Sequence, residues 1–350
     1  MGFRIVGTGS SLPARRVTNE ELSTFLDTSD EWISKRTGIH ARHICTTESL
    51  GDLAVQASQQ ALDAANSTAD ELDAIICTTI SPDHIMPAEA SVIQDRLGAH
   101  CPSFDINVAC AGFVFALDIA DGLFARKRAR RVLVVSAERC SHILDWSDRA
   151  TCVLFGDGAA AAVLDADGQG LLSLRLSTQP DLISLRLPGA PGSCPFDEGA
   201  HEAQQLSMHG REIFKFGVTA IDREVRALAR DAKLAVEDID HFVFHQANGR
   251  ILDAAAARLG IERDRVVTTL AETGNISSAC IPYALDTLVR SGRLVAGQTV
   301  ALVGFGAGLS VGSCLMRWDE KSACSAPAHP ASLRSESVCQ ESVHPEATRP

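Results

Sequence analysis

The chain has 350 residues, 45% of them hydrophobic and 22% charged, which is enough to bury a large core in one or two domains. No run of 18 or more apolar residues occurs, so no membrane-spanning helix is expected, and the first residues lack the apolar stretch and cleavage site of a signal peptide. A net charge of −12 argues against nucleic acid as a general partner.

Residues 3–8 read as a first strand, turned by Gly9-Ser-Ser-Leu-Pro13; Gly7 and Gly9 do not complete a dinucleotide-binding glycine pattern. Residues 19–26 read as a helix. The segment 29–38 sets Trp32 beside Arg36, either as a helix end packed on its neighbour or as an aromatic face that stacks a phosphorylated adenine nucleotide. A helix over 51–66 turns Leu53, Ala57 and Ala61 inward. Strand 72–79, a loop from Ser81 to His84, and helix 87–97 closed by Gly98 follow. Strand 103–107 runs into a turn bearing Cys110, then a helix with Phe113, Leu117 and Ala120 at helical spacing.

The basic run Arg126–Arg131 reads as the solvated end of that helix, where cations favour the dipole. Val132–Val135 is apolar without alternation, as in a central strand buried on both faces, and Cys152–Leu164 is a second such run, interrupted by glycines. Residues 165–205 are the least regular, with turns at Asp167-Gly168 and Pro188-Gly189. Helix 210–232, strand 240–244 ending at His245, helix 248–259 closed by Gly260, strand 265–269, helix 278–291, strand 298–303 and the glycine-rich Gly304–Gly308 follow. Residues 319–350 contain no aromatic side chain and many Ser, Ala and Glu, the composition of a disordered tail.

Eleven cysteines, an odd count without CxxC pairs, suit a reducing cytoplasm better than a disulfide framework or a zinc site; no metal site is expected. Val6 stands where a myristoylation signal needs Ser or Thr. Cys110 is either a small core residue or a nucleophile. Its strand-to-helix turn lies near free N–H groups and the positive end of a helix, which stabilise a thiolate.

An internal duplication bears on that choice. The shift that lays Asn107 on Asn275 also lays Ala111 on Ala279, Ala116 on Ala284, Leu117 on Leu285 and Asp118 on Asp286, and it brings Val132–Val135 onto Val300–Val303. Two βαβ-rich halves packed face to face would bring equivalent loops to one centre, making Cys110, Asn275 and His245 neighbours.

The set Asn107-Val-Ala-Cys-Ala-Gly-Phe113, His245-Gln-Ala-Asn-Gly-Arg250, Gly274-Asn-Ile-Ser-Ser278 and Gly306-Ala-Gly-Leu-Ser-Val-Gly312 resembles the thiolase superfamily, and within it the 3-ketoacyl-acyl-carrier-protein synthase III family, over residues 3–318. The resemblance implies an α/β, thiolase-like fold of two duplicated halves in five layers, αβαβα. Its divisions are an N-terminal half over 1–165, an irregular connection or lid over 166–209, a C-terminal half over 210–318 and the tail over 319–350. It implies a cytoplasmic homodimeric acyltransferase of fatty acid biosynthesis, with no cofactor beyond a coenzyme A thioester as substrate, and with acyl-CoA and malonyl-acyl carrier protein as partners.

By the same resemblance Cys110 is the nucleophile that becomes acylated. His245 and Asn275 donate hydrogen bonds to the charge developing as malonyl loses CO₂, and the backbone N–H groups of Cys110 and Ala307 form a second oxyanion hole. Thr28, Trp32, Arg36, Arg149, Gly210 and Asn248 match positions that handle coenzyme A, and Arg211 departs from the pattern there. Met86 and Phe155 match the acyl pocket, Met86 by reaching into the neighbour's. Lys215, Gln246 and Arg250 match a basic patch where acidic carrier protein docks. Two alternatives keep the residues and change the role: a condensing enzyme or acyltransferase of secondary metabolism, and a non-catalytic acyl- or carrier-binding scaffold. A degradative thiolase is disfavoured, because the Gly306–Ser310 loop lacks the second cysteine it would need.

Overall fold

Unbroken apolar runs become central strands because successive side chains point to opposite faces, and here both faces are covered. The computed structural model describes residues 2–166, 170–189, 196, 199 and 202–322. In the N-terminal half, β1 (Arg4–Ser11) leads through a small ribbon of β2 (Arg16–Thr18) and β3 (Ala41–His43), which carries the short helices α1 (Asn19–Leu22) and α2 (Asp30–Thr37) between its strands. Then come α3 (Leu50–Ala64), β4 (Ala74–Thr78), α4 (Glu89–Leu97), β5 (Ser103–Ile106), α5 (Gly112–Ala125), β6 (Arg131–Arg139) and β7 (Asp157–Asp165). The sheet order is β1-β7-β6-β4-β5.

The C-terminal half repeats this plan. It comprises β8 (Leu171–Asp181), a ribbon of β9 (Leu185–Arg186) and β10 (Ser207–Met208), α6 (Gly210–Ala232), β11 (His241–Phe244), α7 (Gly249–Leu259), α8 (Leu270–Thr273), α9 (Cys280–Arg290), β12 (Thr299–Gly306) and β13 (Gly308–Arg317). Its sheet order, β11-β12-β13-β8, matches β4-β6-β7-β1 in both sequence and sense. The pairs β4–β6 and β11–β12 are parallel; those linking β6, β7 and β1, and β12, β13 and β8, are antiparallel.

Three cores show the layering. Val132 and Val134 of β6, with Val300 and Leu302 of β12, face a middle layer formed by Phe113 and Leu117 of α5 and Leu285 and Leu288 of α9. The alternate residues Leu133 and Val135 face α3 and α4. Ala301, Val303 and Phe305 face α6 and α7. The order is therefore α3/α4, sheet, α5/α9, sheet, α6/α7: the five layers expected.

The structure departs from the sequence reading in four places. Residues 171–181, expected within a lid, form β8, the twin of β1, so the second half begins before residue 210. The expected strand 265–269 would be the twin of β5; it reduces to a single parallel bridge between Phe242 and Val266, after the 3-10 turn Arg263–Arg265. The run from Cys152 turns until Gly156 and becomes a strand only at Asp157. The helix expected over 19–26 stops at Leu22. The Asp167-Gly168 turn and the tail beyond Ser322 lie outside the described residues.

Candidate active site

Two copies of one turn build the site. After β5, the Asn107 Oδ1 accepts the Ala109 N–H at 3.3 Å, Ala109 takes φ +45°, and a 3-10 turn over Ala109–Ala111 leads into α5. In the second half the Asn275 Oδ1 accepts the Ser277 N–H at 2.9 Å, Ser277 takes φ +49°, and a 3-10 turn over Ser277–Ala279 leads into α9. The Asx bond helps hold a non-glycine residue in the left-handed region. The two turns meet where the Cys110 Sγ lies 3.5 Å from the Ser277 Oγ.

Cys110, His245, Asn275, Gly306 and Ala307 line one cavity of about 420 Å³, floored by Phe305. His245 follows β11, anchored by its N–H to the Val303 carbonyl at 2.9 Å, with its ring edge-on to Phe305 at 5.2 Å. Burial pulls the imidazole down to about 3, so it is neutral, and its Nδ1 is buried without a protein partner. Asn275 spends its Oδ1 on the Ser277 N–H and, at 3.6 Å, on the Cys280 thiol. This fixes which end of the amide faces the cavity: the Nδ2 donor. Asn275 also ties the halves together, accepting the Gly156 N–H and donating its own N–H to the Leu154 carbonyl.

Cys110 differs from expectation in one respect. Burial pushes its thiol up to about 12, and the nearby Glu138 charge adds to this, so desolvation outweighs the helix end and the resting group is a thiol.

The other expected site residues divide. Trp32, Arg36, Phe155, Gly210, Asn248 and Arg250 line the same cavity. The guanidiniums of Arg36 and Arg149 lie 4.7 and 5.4 Å from the centre of the Trp32 ring, and Arg149 also bonds the Asp27 carbonyl. Asn248 caps α7 through the Arg250 N–H, and Arg250 lies over Phe214 at 6.0 Å. Phe155 pairs with Asn275 through the backbone. Thr28 and Arg149 stand outside the lining, and the Thr28 hydroxyl is buried without a partner. Lys215 is exposed on α6.

One assignment needs correction. Gln246 is fully buried, its Nε2 donating to the carbonyls of Phe244 (2.7 Å) and Val267 (3.3 Å) and its Oε1 accepting the Thr269 N–H (3.1 Å), so it cannot be a docking residue. Met86, expected to reach into a neighbour's pocket rather than this chain's, is 86% exposed and is not among the residues lining the cavity.

Phe305, Ser277 and Glu138 were not singled out from the sequence. Ser277 carried a signal, as the residue two past Asn275 in the duplicated turn; Glu138, at the end of an apolar strand, carried none. Among the described residues no group of three His, Cys, Asp or Glu side chains is placed to hold a metal, and no helix is long and apolar enough to cross a membrane.

Duplicated α/β halves in five layers, with cysteine, histidine and asparagine converging where they meet, define the thiolase-like condensing enzymes. The family model described as 3-oxoacyl-[acyl-carrier-protein (ACP)] synthase III matches residues 104–180, and that of its C-terminal part matches 229–318. The chain is 46% identical over 318 residues to beta-ketoacyl-[acyl-carrier-protein] synthase III from Xanthomonas campestris pv. campestris, covering 90% of this chain and 98% of that protein. Among solved structures, the synthase III from Thermus thermophilus superposes with a TM-score of 0.85 at 39% identity, over 91% of this chain and 99% of that one. A priming beta-ketosynthase from a polyketide biosynthetic pathway gives a TM-score of 0.85 at 36% identity, over 91% of this chain and 96% of that one. The chain belongs to the beta-ketoacyl-[acyl-carrier-protein] synthase III family.

Proposed function

We propose that this enzyme starts type II fatty acid synthesis by condensing an acyl-CoA primer with malonyl-acyl carrier protein, giving 3-ketoacyl-acyl carrier protein, coenzyme A and CO₂. The observation that carries the reading is the convergence of Cys110, neutral His245 and the Asn275 Nδ2 on one cavity. The Cys110 sulfur attacks the primer's thioester carbon, and the carbon–sulfur bond to coenzyme A breaks; coenzyme A leaves as the thiol, carrying the proton that Cys110 gave up. The malonyl carboxylate then leaves as CO₂. Its bonding pair becomes an enolate whose oxygen receives hydrogen bonds from His245 and Asn275, each donor contributing about 3–4 kcal/mol in a dry site. The enolate carbon attacks the acyl-cysteine, the N–H groups of Cys110 and Ala307 hold the resulting oxyanion, and its collapse returns the cysteine sulfur, which regains a proton.

Trp32, Arg36 and Arg149 hold the nucleotide of coenzyme A at the mouth, with Gly210 and Asn248 along the way in. Arg250 and Lys215 receive the acidic carrier protein. The chain acts as a homodimer in which the exposed Met86 enters the neighbour's acyl pocket beside Phe155. The exposure of Ile85 (88%) and Met86 (86%) beside the half-buried edge strand β5 supports this. The buried free thiols of Cys45, Cys77, Cys101 and Cys140 suit a reducing cytoplasm. The chemistry requires no cofactor, because the two thioesters supply it.

The test is intact-mass analysis after incubation with a panel of acyl-CoA primers, followed by malonyl-acyl carrier protein. Acylation at Cys110, lost in Cys110→Ser, and release of 3-ketoacyl-acyl carrier protein are expected. An enzyme that acquires no acyl group with any primer would instead be a binding scaffold. The likeness to a priming ketosynthase of a polyketide pathway favours a second reading, in which the primer or acceptor is that of secondary metabolism; product mass separates the two.

A further inference from the structure

Beneath the nucleophile lies a buried carboxylate that the reaction above does not use. Glu138, near the end of β6, is fully buried. Its Oε1 accepts from the Ser277 hydroxyl (3.0 Å), the Ser278 hydroxyl (2.6 Å) and the Ser278 N–H (3.3 Å). Its Oε2 accepts from the Ile80 N–H (3.0 Å), the Ser81 hydroxyl (2.9 Å) and the Thr79 hydroxyl (3.4 Å). The Ser81 oxygen is itself taken by the Arg139 N–H at 2.7 Å, which leaves its proton for Glu138. Burial raises the Glu138 carboxyl above its ordinary range, and the ring of donors works against that rise by favouring the carboxylate.

Ser277 has one hydroxyl proton, and Glu138 is its acceptor among the described residues. Toward Cys110 it therefore turns lone pairs, 3.5 Å from the Sγ, and can only accept the thiol proton. We propose that Glu138 and Ser277 are positioning residues that orient the Cys110 S–H and hold the resting nucleophile as a neutral thiol. A thiolate formed there would face an oxygen lone pair unless Ser277 turned its proton away from Glu138, an exchange that takes one of three donors from the buried Glu138 Oε1. The inference rests on Cys110 being the nucleophile. Besides Glu138 on β6, the titratable groups around Cys110 are Cys140 after β6, Cys280 on α9 and His245 after β11; burial holds all three neutral.

The pH dependence of iodoacetamide alkylation of the full chain, read at Cys110 by peptide mass, tests this without either substrate. Ser277→Ala and Glu138→Gln should each move the inflection down by about one pH unit, which is about tenfold more thiolate at any pH below it. Alanine is accommodated in this backbone, since Ala109 holds φ +45° in the twin turn. In the wild type, the Cys110 S–H stretch, taken as the difference from Cys110→Ala, should fall at the lowered frequency of a hydrogen-bonded donor. An unmoved or raised inflection in Ser277→Ala, or an S–H stretch at the free value, overturns the proposal. A loss of thermal stability alone, without a moved inflection, would reduce the pair to a structural role and overturns it equally. If the inflection moves but no primer ever acylates Cys110, the condensing reading fails and this one stands.

Discussion

Gly306 lies flat against Cys110: a β-carbon added to Gly306 would stand 2.8 Å from the Cys110 nitrogen and 3.1 Å from its Cβ. The end of β12 thus sets the height of the nucleophile's backbone, and only a residue without a side chain lets the two chains approach so closely. Gly306→Ala should push the Cys110 turn out of place and slow acylation by about 10²-fold, the usual cost of a displacement near 1 Å. Single-turnover acylation followed by mass spectrometry measures this; a rate within twofold of wild type would contradict the packing argument.

Asn275→Asp preserves the acceptor that holds the Ser277 N–H and removes the Nδ2 donor. Condensation should fall by about 10²–10³-fold, the cost of one oxyanion donor, while acyl-Cys110 still accumulates. Equal losses in both steps would mean that Asn275 serves the turn rather than the enolate.

His245 makes the protein acid-sensitive in a defined window. In the unfolded chain its imidazole takes a proton near its ordinary value of about 6.5; in the folded protein, burial delays this to about 3. Between those values only the unfolded state binds the proton. Stability is therefore full above the upper value and falls by about 1.4 kcal/mol per pH unit below it. Urea unfolding from pH 7 to 4.5 should show His245→Gln losing less stability than wild type by that slope. Parallel curves would show that His245 is solvated.

Gln246 and Arg250 stand four positions apart and should fail differently. Gln246→Glu replaces a buried donor to two carbonyls with an acceptor, costing about 2–4 kcal/mol through unsatisfied buried groups. Thermal unfolding should detect that loss. Arg250→Glu, at an exposed position, should leave the melting temperature near wild type and raise the KM for malonyl-acyl carrier protein more than that for malonyl-CoA. A KM raised equally for both would remove the docking role.

The sequence alone carried the duplication, and with it the two turns that hold Cys110 and Asn275, because one offset preserved both a helix face and a strand. Alternation of leucine and polar residues over Leu172, Leu174 and Leu176 also marked β8, yet it lay in a region dominated by turn residues. Tertiary structure decided what depends on atoms far apart in sequence. Whether the 265–269 segment forms a strand depended on its neighbour in the sheet. Whether Gln246 is a surface group depended on the Phe244 and Val267 carbonyls that claim its amide. The state of Cys110 shows the division most clearly. Its position at a strand-to-helix turn is local and legible, and it suggests a thiolate. Its desolvation comes from packing against a half of the molecule that the local sequence does not contain, and that burial holds it as a thiol.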